Sequence, residues 1–409
     1  MADPGATTLD ADVAVIGGGM VGMALACVLG GAGVRVAVIE PQSAALRTDA
    51  AADGRTSAIA AGSKAVLEGA GAWAAMEPDA QPILDIRVSD GHSPLFLHYD
   101  HEEIGAGPLG WIVENVHIRA ALIARLHDLD TVRLVDGAPL AGIEVTGTGA
   151  AVRTAAGARV RAPLVAATDG RRSRVRAMMG VRVAEWTYGQ SGIVCTVAHE
   201  RDHRGVAQEH FLPAGPFAIL PMTGRRSSIV WTERDALARH IMALDDTGFA
   251  EELGLRFGDF LGAIRVASPR FAWPLGLLHA ERYVAPRLVL AGDAAHAMHP
   301  IAGQGLNMGL RDVAALAEVV VDALRLGLDP GSTAVLARYE RWRRFDNALM
   351  LAVTDGLNRL FSNDLAPVRL VRDLGLAAVN RLPPLKRLFM RDAMGELGAL
   401  PRLVRGEAL

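Results

Sequence analysis

Residues 292–309 bring together the groups in this chain that are best suited to chemistry. They read Gly-Asp-Ala-Ala-His-Ala-Met-His-Pro-Ile-Ala-Gly-Gln-Gly-Leu-Asn-Met-Gly and stand between an apolar strand-like run (288–291) and a helix-like run (313–320). Glycine permits positive φ and close approach of another group, and a carboxylate at a strand end can accept hydrogen bonds from ligand hydroxyls. A helix N-terminus offers free N–H donors to a phosphate or an anionic ring. The spacing predicts a loop that holds a cofactor; the alternative is a glycine-rich turn that only reverses the chain.

The first forty residues contain a second candidate site. A strand-like run (11–16) leads into a G-x-G-x-x-G turn and a helix, and a second strand-like run (34–39) ends at Glu40. This order predicts a βαβ unit that binds a dinucleotide, with its pyrophosphate admitted by the second glycine. Glu40 is expected to bind the adenosine ribose and to repel a 2′-phosphate, which excludes NADP at this site. The predicted binding residues are Gly17, Gly19, Met20, Val21, Gly22 and Glu40.

Two further segments place charge beside glycine. Residues 164–176 repeat the order of strand, acid–glycine pair (Asp169-Gly170) and helix start. The arginines that follow Gly170 could attract nucleotide phosphates, and a solvated helix face explains them equally well. Asp53-Gly54-Arg55-Thr56-Ser57 offers an arginine suited to charge-assisted hydrogen bonds with phosphate, or else forms a surface turn.

Taken in this order, the motifs resemble the para-hydroxybenzoate-hydroxylase class of FAD monooxygenases. The resemblance implies that Gly292 and Asp293 hold the ribityl chain and that the loop after Pro300 lines the isoalloxazine ring. It also implies that Arg55 reaches the pyrophosphate and that the Asp169 motif serves FAD. Arg119 is expected to touch the flavin phosphates; the alternative is a position on a solvated helix face. The remaining cofactor-binding residues predicted in this way are Thr56, Ser57, Gly170, Pro300, Gly303, Gly305, Leu306 and Asn307.

Four segments are similar to one group within this class, the flavin hydroxylases of ubiquinone biosynthesis. They are residues 188–190, 211–231, 338–346 and 354–361. The resemblance implies that NAD(P)H reduces FAD and that O₂ then hydroxylates a polyprenylated phenol. Alternatives are a halogenase or prenyl reductase of the same fold, or a flavin-bearing scaffold of a quinone-synthesis complex. By local physics alone, residues 354–357 would instead predict a helix break at Gly356.

The candidate catalytic residues are His296 and Pro300, although the flavin would carry the hard chemistry. Phenol activation makes a proton acceptor plausible, and His296 is the nearest candidate in the sequence; packing or hydrogen bonding is the alternative role. His296 and His299 lack a third ligand nearby, and Cys27 and Cys195 are the only cysteines, so we expect no metal site.

The motifs predict an α/β fold: a Rossmann-like FAD-binding domain of the para-hydroxybenzoate-hydroxylase type, with an inserted β-sheet substrate domain and a C-terminal helical segment. The chain has 409 residues and a net charge of -3, which gives no indication of nucleic-acid binding. We expect a cytoplasmic protein. Its basic C-terminal helices either pack on their own domain, or contact the membrane surface or dock to other quinone-biosynthesis proteins. The predicted divisions are FAD-binding residues 1–82, 111–180 and 286–335, substrate-domain residues 83–110 and 181–285, and C-terminal helices in 336–409.

Overall fold

The computed structural model describes residues 8–49, 53–91, 96–103, 105, 107–362, 382, 384, 386–387, 390, 394–395 and 398–409. The strands are β1 (Thr8–Asp10), β2 (Val13–Ile16), β3 (Val36–Ile39), β4 (Thr56–Ala60), β5 (Gln81–Ile83), β6 (Asp85–Asp90), β7 (Phe96–Asp100), β8 (Gly110–Glu114), β9 (Val132–Val135), β10 (Leu140–Val145), β11 (Ala150–Thr154), β12 (Arg159–Ala162), β13 (Leu164–Ala167), β14 (Val183–His199), β15 (Val206–Leu212), β16 (Gly215–Met222), β17 (Arg226–Arg234), β18 (Ile264–Val266), β19 (Phe271–Ala280), β20 (Val284–Ala285), β21 (Leu288–Leu290) and β22 (His296–Ala297). The helices are α1 (Met20–Gly31), α2 (Ala44–Arg47), α3 (Ala61–Gly69), α4 (Trp73–Met76), α5 (Asn115–His127), α6 (Arg174–Met178), α7 (Asp235–Ala243), α8 (Asp246–Phe257), α9 (Gln304–Arg325) and α10 (Thr333–Phe361).

A six-stranded sheet in the order β20-β21-β13-β2-β3-β9 forms the nucleotide-binding layer. Its central strands pair in parallel and consist of buried Val, Ile, Leu and Ala, as expected for a sheet covered on both faces. Helices α1, α5 and α9 bury their apolar residues in the same core. The sequence motifs at 17–22, 169–170 and 292–293 all follow strands of this sheet, so its carboxyl edge gathers them.

A second sheet, mostly antiparallel, runs in the order β22-β19-β14-β17-β16-β15-β6-β7, with β18 paired to β14. Strands β6 and β7 come from the predicted insertion at 83–110, and β14 to β19 come from the predicted substrate domain at 181–285. The two predicted pieces therefore share one sheet, through the parallel pairing of β15 with β6. One face of this sheet packs on α7 and α8 around buried aromatic residues that include Trp231 and Phe249. The domain boundaries themselves stay predictions.

Two helices continue where local propensity would stop them. Helix α9 begins at Gln304 and includes Gly309, where an added methyl carbon would lie 2.6 Å from the Val21 side chain. Helix α10 runs without interruption through Gly356 to Phe361, so the helix break considered for residues 354–357 is wrong. Tertiary packing of the buried faces outweighs the roughly 1 kcal/mol that a glycine costs within a helix.

Candidate active site

The glycines of the first motif differ in what surrounds them. Gly17 has φ +101°, and a methyl carbon there would lie 2.5 Å from the Thr168 carbonyl oxygen. A methyl carbon at Gly22 would lie 1.9 Å from the Gly17 carbonyl oxygen, whereas one at Gly19 would meet no atom within 4 Å. Gly17 and Gly22 are therefore required by packing, and Gly19 keeps space open. That space belongs to a cleft of about 410 Å³ lined by Gly17, Gly19, Glu40, Asp169, Gly170, Arg172 and Arg174, among others.

Two acids stand in fixed positions on this cleft. Glu40 is buried, and its carboxylate accepts the Gly18 N–H at 2.5 Å and the Gln42 N–H at 2.9 Å. Asp169 Oδ2 accepts the N–H groups of Arg174 and Val175 at 2.8 and 3.2 Å, at the start of α6. Asp169 Oδ1 is buried and has no partner. An orphaned acceptor of this kind suits a ligand hydroxyl.

Arg47 is a site residue that the sequence analysis missed. It is buried, and its Nη1 donates to the Gly18 carbonyl at 2.7 Å, beside the first glycine motif. Its Nε and Nη2 are buried without partners. Two unsatisfied guanidinium donors beside an open glycine turn fit a pyrophosphate, so the residues present match the group that the motifs imply. No local sequence pattern indicates a role for Arg47, because the other residues of α2 are two alanines and a leucine.

The two arginines expected near the phosphates are held by protein groups. Arg55 makes a bidentate pair with Asp53 at 2.8 and 2.9 Å, and its guanidinium lies over the Trp273 ring. Arg119 donates to Asp53 at 2.7 Å and to the Arg47 carbonyl at 2.5 Å. Burial opposes ionisation of Asp53, but the hydrogen bonds and charges of its two arginine partners hold its pKa well below the usual range. Contact of Arg55 and Arg119 with a phosphate stays a prediction.

The arginines after Gly170 serve mainly structural contacts. Arg176 donates to the Ala294 carbonyl at 2.9 Å and so ties this segment to the loop at 292–309. Arg171 approaches Glu185 at 3.2 Å, and Arg174 donates to the Leu140 carbonyl at 2.5 Å. Arg172 lines the cleft. These contacts do not fit a helix face that is simply solvated. They also do not fit four arginines that all bind phosphate.

We name residues 292–309 the flavin loop. Asp293 is exposed at its start, and no other described residue donates a hydrogen bond to its carboxylate. Gly303 has φ +63° and precedes α9, whose first turn has neither a side-chain cap nor an acidic residue. The N-terminus of α9 thus has no side-chain cap, and its partial positive charge suits an anionic group. A contact between this helix terminus and a cofactor stays a prediction.

Other predicted loop residues act within the protein. Asn307 donates to the Ala58 carbonyl at 2.9 Å and accepts the Ala60 N–H at 3.0 Å, so its amide fastens α9 to β4. Ser57 and Thr56 of β4 donate to Asn115 and Ser228. Any contact of these three residues with a cofactor would use the backbone, and it stays a prediction. Pro300 is exposed, and Gly305 and Leu306 are half-buried.

A buried charge cluster lies behind the flavin loop, and the sequence analysis did not foresee it. Asp312, fully buried, accepts the Gly292 N–H at 2.9 Å and His296 Nε2 at 2.6 Å on one oxygen. Its other oxygen accepts Arg343 Nε at 2.8 Å and Asn347 Nδ2 at 3.2 Å. Burial opposes ionisation, but His296 and Arg343 hold the pKa of Asp312 well below its usual range. The cluster fixes the loop from its protein side.

The two histidines of the loop have opposite surroundings. His296 is bonded to Asp312, which suits positioning of the loop; its proposed role in proton transfer stays a prediction. His299 is fully buried, and both ring nitrogens lack a partner. Burial lowers the pKa of His299 to about 4, so the ring is neutral at physiological pH. Its ring packs edge-on against Tyr188 at 5.3 Å.

The segments similar to the ubiquinone-biosynthesis hydroxylases meet beside this loop. Tyr188 donates to Asp355 at 2.9 Å, and Asn358 donates to Gln190 at 3.2 Å, which joins β14 to α10. Further along α10, Phe361 stacks on Phe211 with ring centroids 4.1 Å apart. The two rings pack with Val88 and with Ile301 of the loop, in an apolar cluster. The loop is therefore flanked by an aromatic, apolar wall.

The parallel sheet, the open glycine turn and the start of α9 are the features of a dinucleotide-binding protein. The comparisons with known proteins identify the class as FAD-dependent monooxygenases. A family model described as an FAD binding domain matches residues 10–345. The chain is 54% identical over 402 residues to the ubiquinone hydroxylase UbiL of Rhodospirillum rubrum, covering 98% of this chain and 94% of that protein. It is 36% identical to the 3-demethoxyubiquinol 3-hydroxylase of Escherichia coli, covering 95% and 100%.

A solved structure, p-nitrophenol 4-monooxygenase PnpA of Pseudomonas putida, shares the fold with a TM-score of 0.80 at 23% identity, covering 96% of this chain and 100% of that one. The chain belongs to the family of FAD-dependent monooxygenases that includes the hydroxylases of ubiquinone biosynthesis. The predicted family, fold class and cofactor are confirmed. Across the described residues, no helix has both the length and the hydropathy that crossing a bilayer requires.

Proposed function

We propose that this protein is an FAD-dependent aromatic hydroxylase that uses NAD(P)H and O₂ to hydroxylate the ring of a polyprenylated phenol in ubiquinone biosynthesis. The observation that carries the proposal is the flavin loop itself: an uncapped helix N-terminus beside an apolar wall of Ile301, Phe211 and Phe361. Such a wall suits an aromatic ring with an isoprenoid tail. The names of the similar proteins support the quinone pathway.

Each part of the cleft has a distinct task in holding the cofactor. The space at Gly19 and the free donors of Arg47 would take the pyrophosphate, and Glu40 would take the adenosine ribose. Asp293 would accept hydrogen bonds from the ribityl hydroxyls. The first N–H groups of α9 would stabilise negative charge at the edge of the flavin ring. Bound there, FAD supplies hydride acceptance and O₂ activation.

We assign the polar contact with the substrate to His299 rather than to His296. The ring nitrogens of His299 are uncommitted, whereas His296 is bonded to Asp312. A pKa lowered to about 4 makes His299 too weak a base to remove a phenolic proton outright. It suits a hydrogen bond to the phenol instead.

The decisive experiment is mass spectrometry of quinone intermediates in a deletion strain. We expect an under-hydroxylated precursor to accumulate and the wild-type gene to restore ubiquinone. Normal ubiquinone in the deletion strain would contradict the proposal. Purified protein should be yellow and should consume O₂ with a phenol and NAD(P)H in the absence of halide, which separates a hydroxylase from a halogenase.

A scaffold is distinguished from an enzyme by complementation. Variants Asp293→Ala and Gly305→Val change the predicted flavin contacts and leave the charge cluster at Asp312 in place. A scaffold would tolerate them and restore ubiquinone; an enzyme would not. Membrane contact through the C-terminal helices belongs to the same proposal. Residues 363–381 of that region, which include Arg369, Arg372 and Arg381, lie outside the described residues, whereas α10 lies within them.

A further inference from the structure

The outer face of α10 carries a stripe of large apolar side chains. Its residues are 36–72% exposed and follow one another at intervals of four, four, four and three: Phe345, Leu349, Val353, Leu357 and Leu360. That spacing places them on one side of the helix along about 22 Å of its length. The opposite side, with Leu351, Thr354, Asn358 and Phe361, is buried against the protein. The exposed stripe therefore does not contribute to the core.

Basic residues stand at the N-terminal end of this stripe. Arg341 and Arg344 are exposed, and in the described part of the chain neither makes an ion pair. Arg338 is half-exposed and lies 4.0 Å from Asp322. An apolar helix face with free arginines at its edge is the composition of helices that lie in the interface of an anionic bilayer. A contiguous exposed apolar stripe of this kind marks an interaction surface.

The stripe leads directly to the candidate active site. Leu360 ends it, and the next residue, Phe361, stacks on Phe211 and packs beside Ile301 of the flavin loop. A single helix thus connects an exposed apolar surface with the wall of the site. A substrate with a long isoprenoid tail resides in the bilayer, so this connection has an evident use.

We propose that the outer face of α10 docks on the surface of an anionic phospholipid bilayer and sets the entrance of the site against the membrane. The choice of occupant rests on the charge of Arg341 and Arg344, and the use of the contact rests on the proposed function. The contact is peripheral: the helix lies in the headgroup region with Phe345 and the leucines directed toward the acyl chains.

Vesicle flotation of the FAD-loaded protein tests this proposal. We expect binding to vesicles of phosphatidylglycerol and phosphatidylethanolamine, and much weaker binding to phosphatidylcholine alone. Leu349→Glu and Val353→Glu should each reduce the partition coefficient at least about tenfold. Arg341→Ala and Arg344→Ala should each reduce it about fivefold on the anionic vesicles only. The matched control is Leu255→Glu, at an exposed leucine of α8, which should bind as the wild type does.

Two further measurements separate the competing explanations. Turnover of a water-soluble phenol without an isoprenoid tail, together with the flavin absorbance, should be unchanged in the stripe variants, which shows that they remain folded. Wild-type protein that turns over this phenol but does not bind anionic vesicles would overturn the docking proposal and leave the proposed function intact. Vesicle binding without turnover of any phenol would contradict the proposed function and leave the docking proposal intact. A wild-type dimer that fails to float and that Leu349→Glu converts to a monomer would also overturn it, in favour of a second copy of this chain.

Discussion

Replacing Asp312 by asparagine tests whether the buried cluster positions the flavin loop. The carboxylate of Asp312 accepts four hydrogen bonds, two of them from Gly292 and His296 of the loop and one from Arg343 of α10. Asparagine has the same shape but offers a single acceptor oxygen, and its NH₂ group faces donors. The variant therefore leaves the buried Arg343 guanidinium with only the half-exposed Asp346 as a carboxylate partner, at 3.0 Å.

The structure sets the size of the effect. Removing one partner of a buried ion pair costs roughly 3–5 kcal/mol. Asp312 is fully buried and Arg343 nearly so, but Asp346 still pairs with Arg343, so we expect the lower end of that range. Part of that cost falls on the loop, because the Gly292 N–H loses its fixed acceptor. We expect FAD to bind at least about tenfold more weakly, which corresponds to about 1.4 kcal/mol or more. The rest should appear as a lower midpoint of thermal unfolding.

The matched control is Asp322→Asn, the same substitution on the same helix. Asp322 is partly exposed and pairs with Arg402 at 2.5 Å, so its loss should cost no more than about 1 kcal/mol. The assays are fluorescence titration of the apoprotein with FAD and thermal unfolding of both variants. Equal FAD affinities for the two variants would refute the claim that the cluster positions the loop.

The other predictions concern the cleft and the loop histidine. Gly19→Ala should leave the unfolding of the apoprotein unchanged but abolish measurable FAD binding, whereas Gly22→Ala should lower the unfolding midpoint of the apoprotein itself. Calorimetry with and without FAD distinguishes the two variants. If both behave alike, the space at Gly19 does not belong to the cofactor. Arg47→Met should raise the FAD dissociation constant about tenfold or more and make FAD binding less sensitive to salt. If titration of the variant with FAD gives the wild-type dissociation constant, Arg47 does not contact the cofactor. Burial lowers the pKa of His299 to about 4, whereas the unfolded chain titrates near 6.5 and therefore binds the proton first as pH falls. The free energy of unfolding should therefore decrease as pH falls from about 6.5 to about 4. In His299→Phe this decrease should be smaller by about 3 kcal/mol, measured by denaturation at several pH values. Identical pH profiles for the wild type and the variant would show that the ring is not held neutral.

Much of the nucleotide-binding layer was predictable because its signals are local. The turn at Gly17 needs positive φ within one residue of a strand, and Gly22 must touch the same turn five residues later. Glu40 ends the next strand, at the spacing that a βαβ unit imposes. The uncapped start of α9 after Gly303 was likewise visible as glycine between strand and helix. The choice of ubiquinone hydroxylases within the class came from resemblance, and the similar proteins support it.

The sequence by itself therefore determined the dinucleotide fold and the strand–loop–helix order of residues 288–320, since each depends on residues that are close together in the chain. The chemical class came from the resemblance to a known family. Only the tertiary structure brought Tyr188 to Asp355 and Arg343 to Asp312, and only it revealed the free donors of Arg47. Those contacts join residues between 31 and 167 positions apart. Periodicity reports which face of an element is buried, but it carries no record of the partner that the folded chain places against that face.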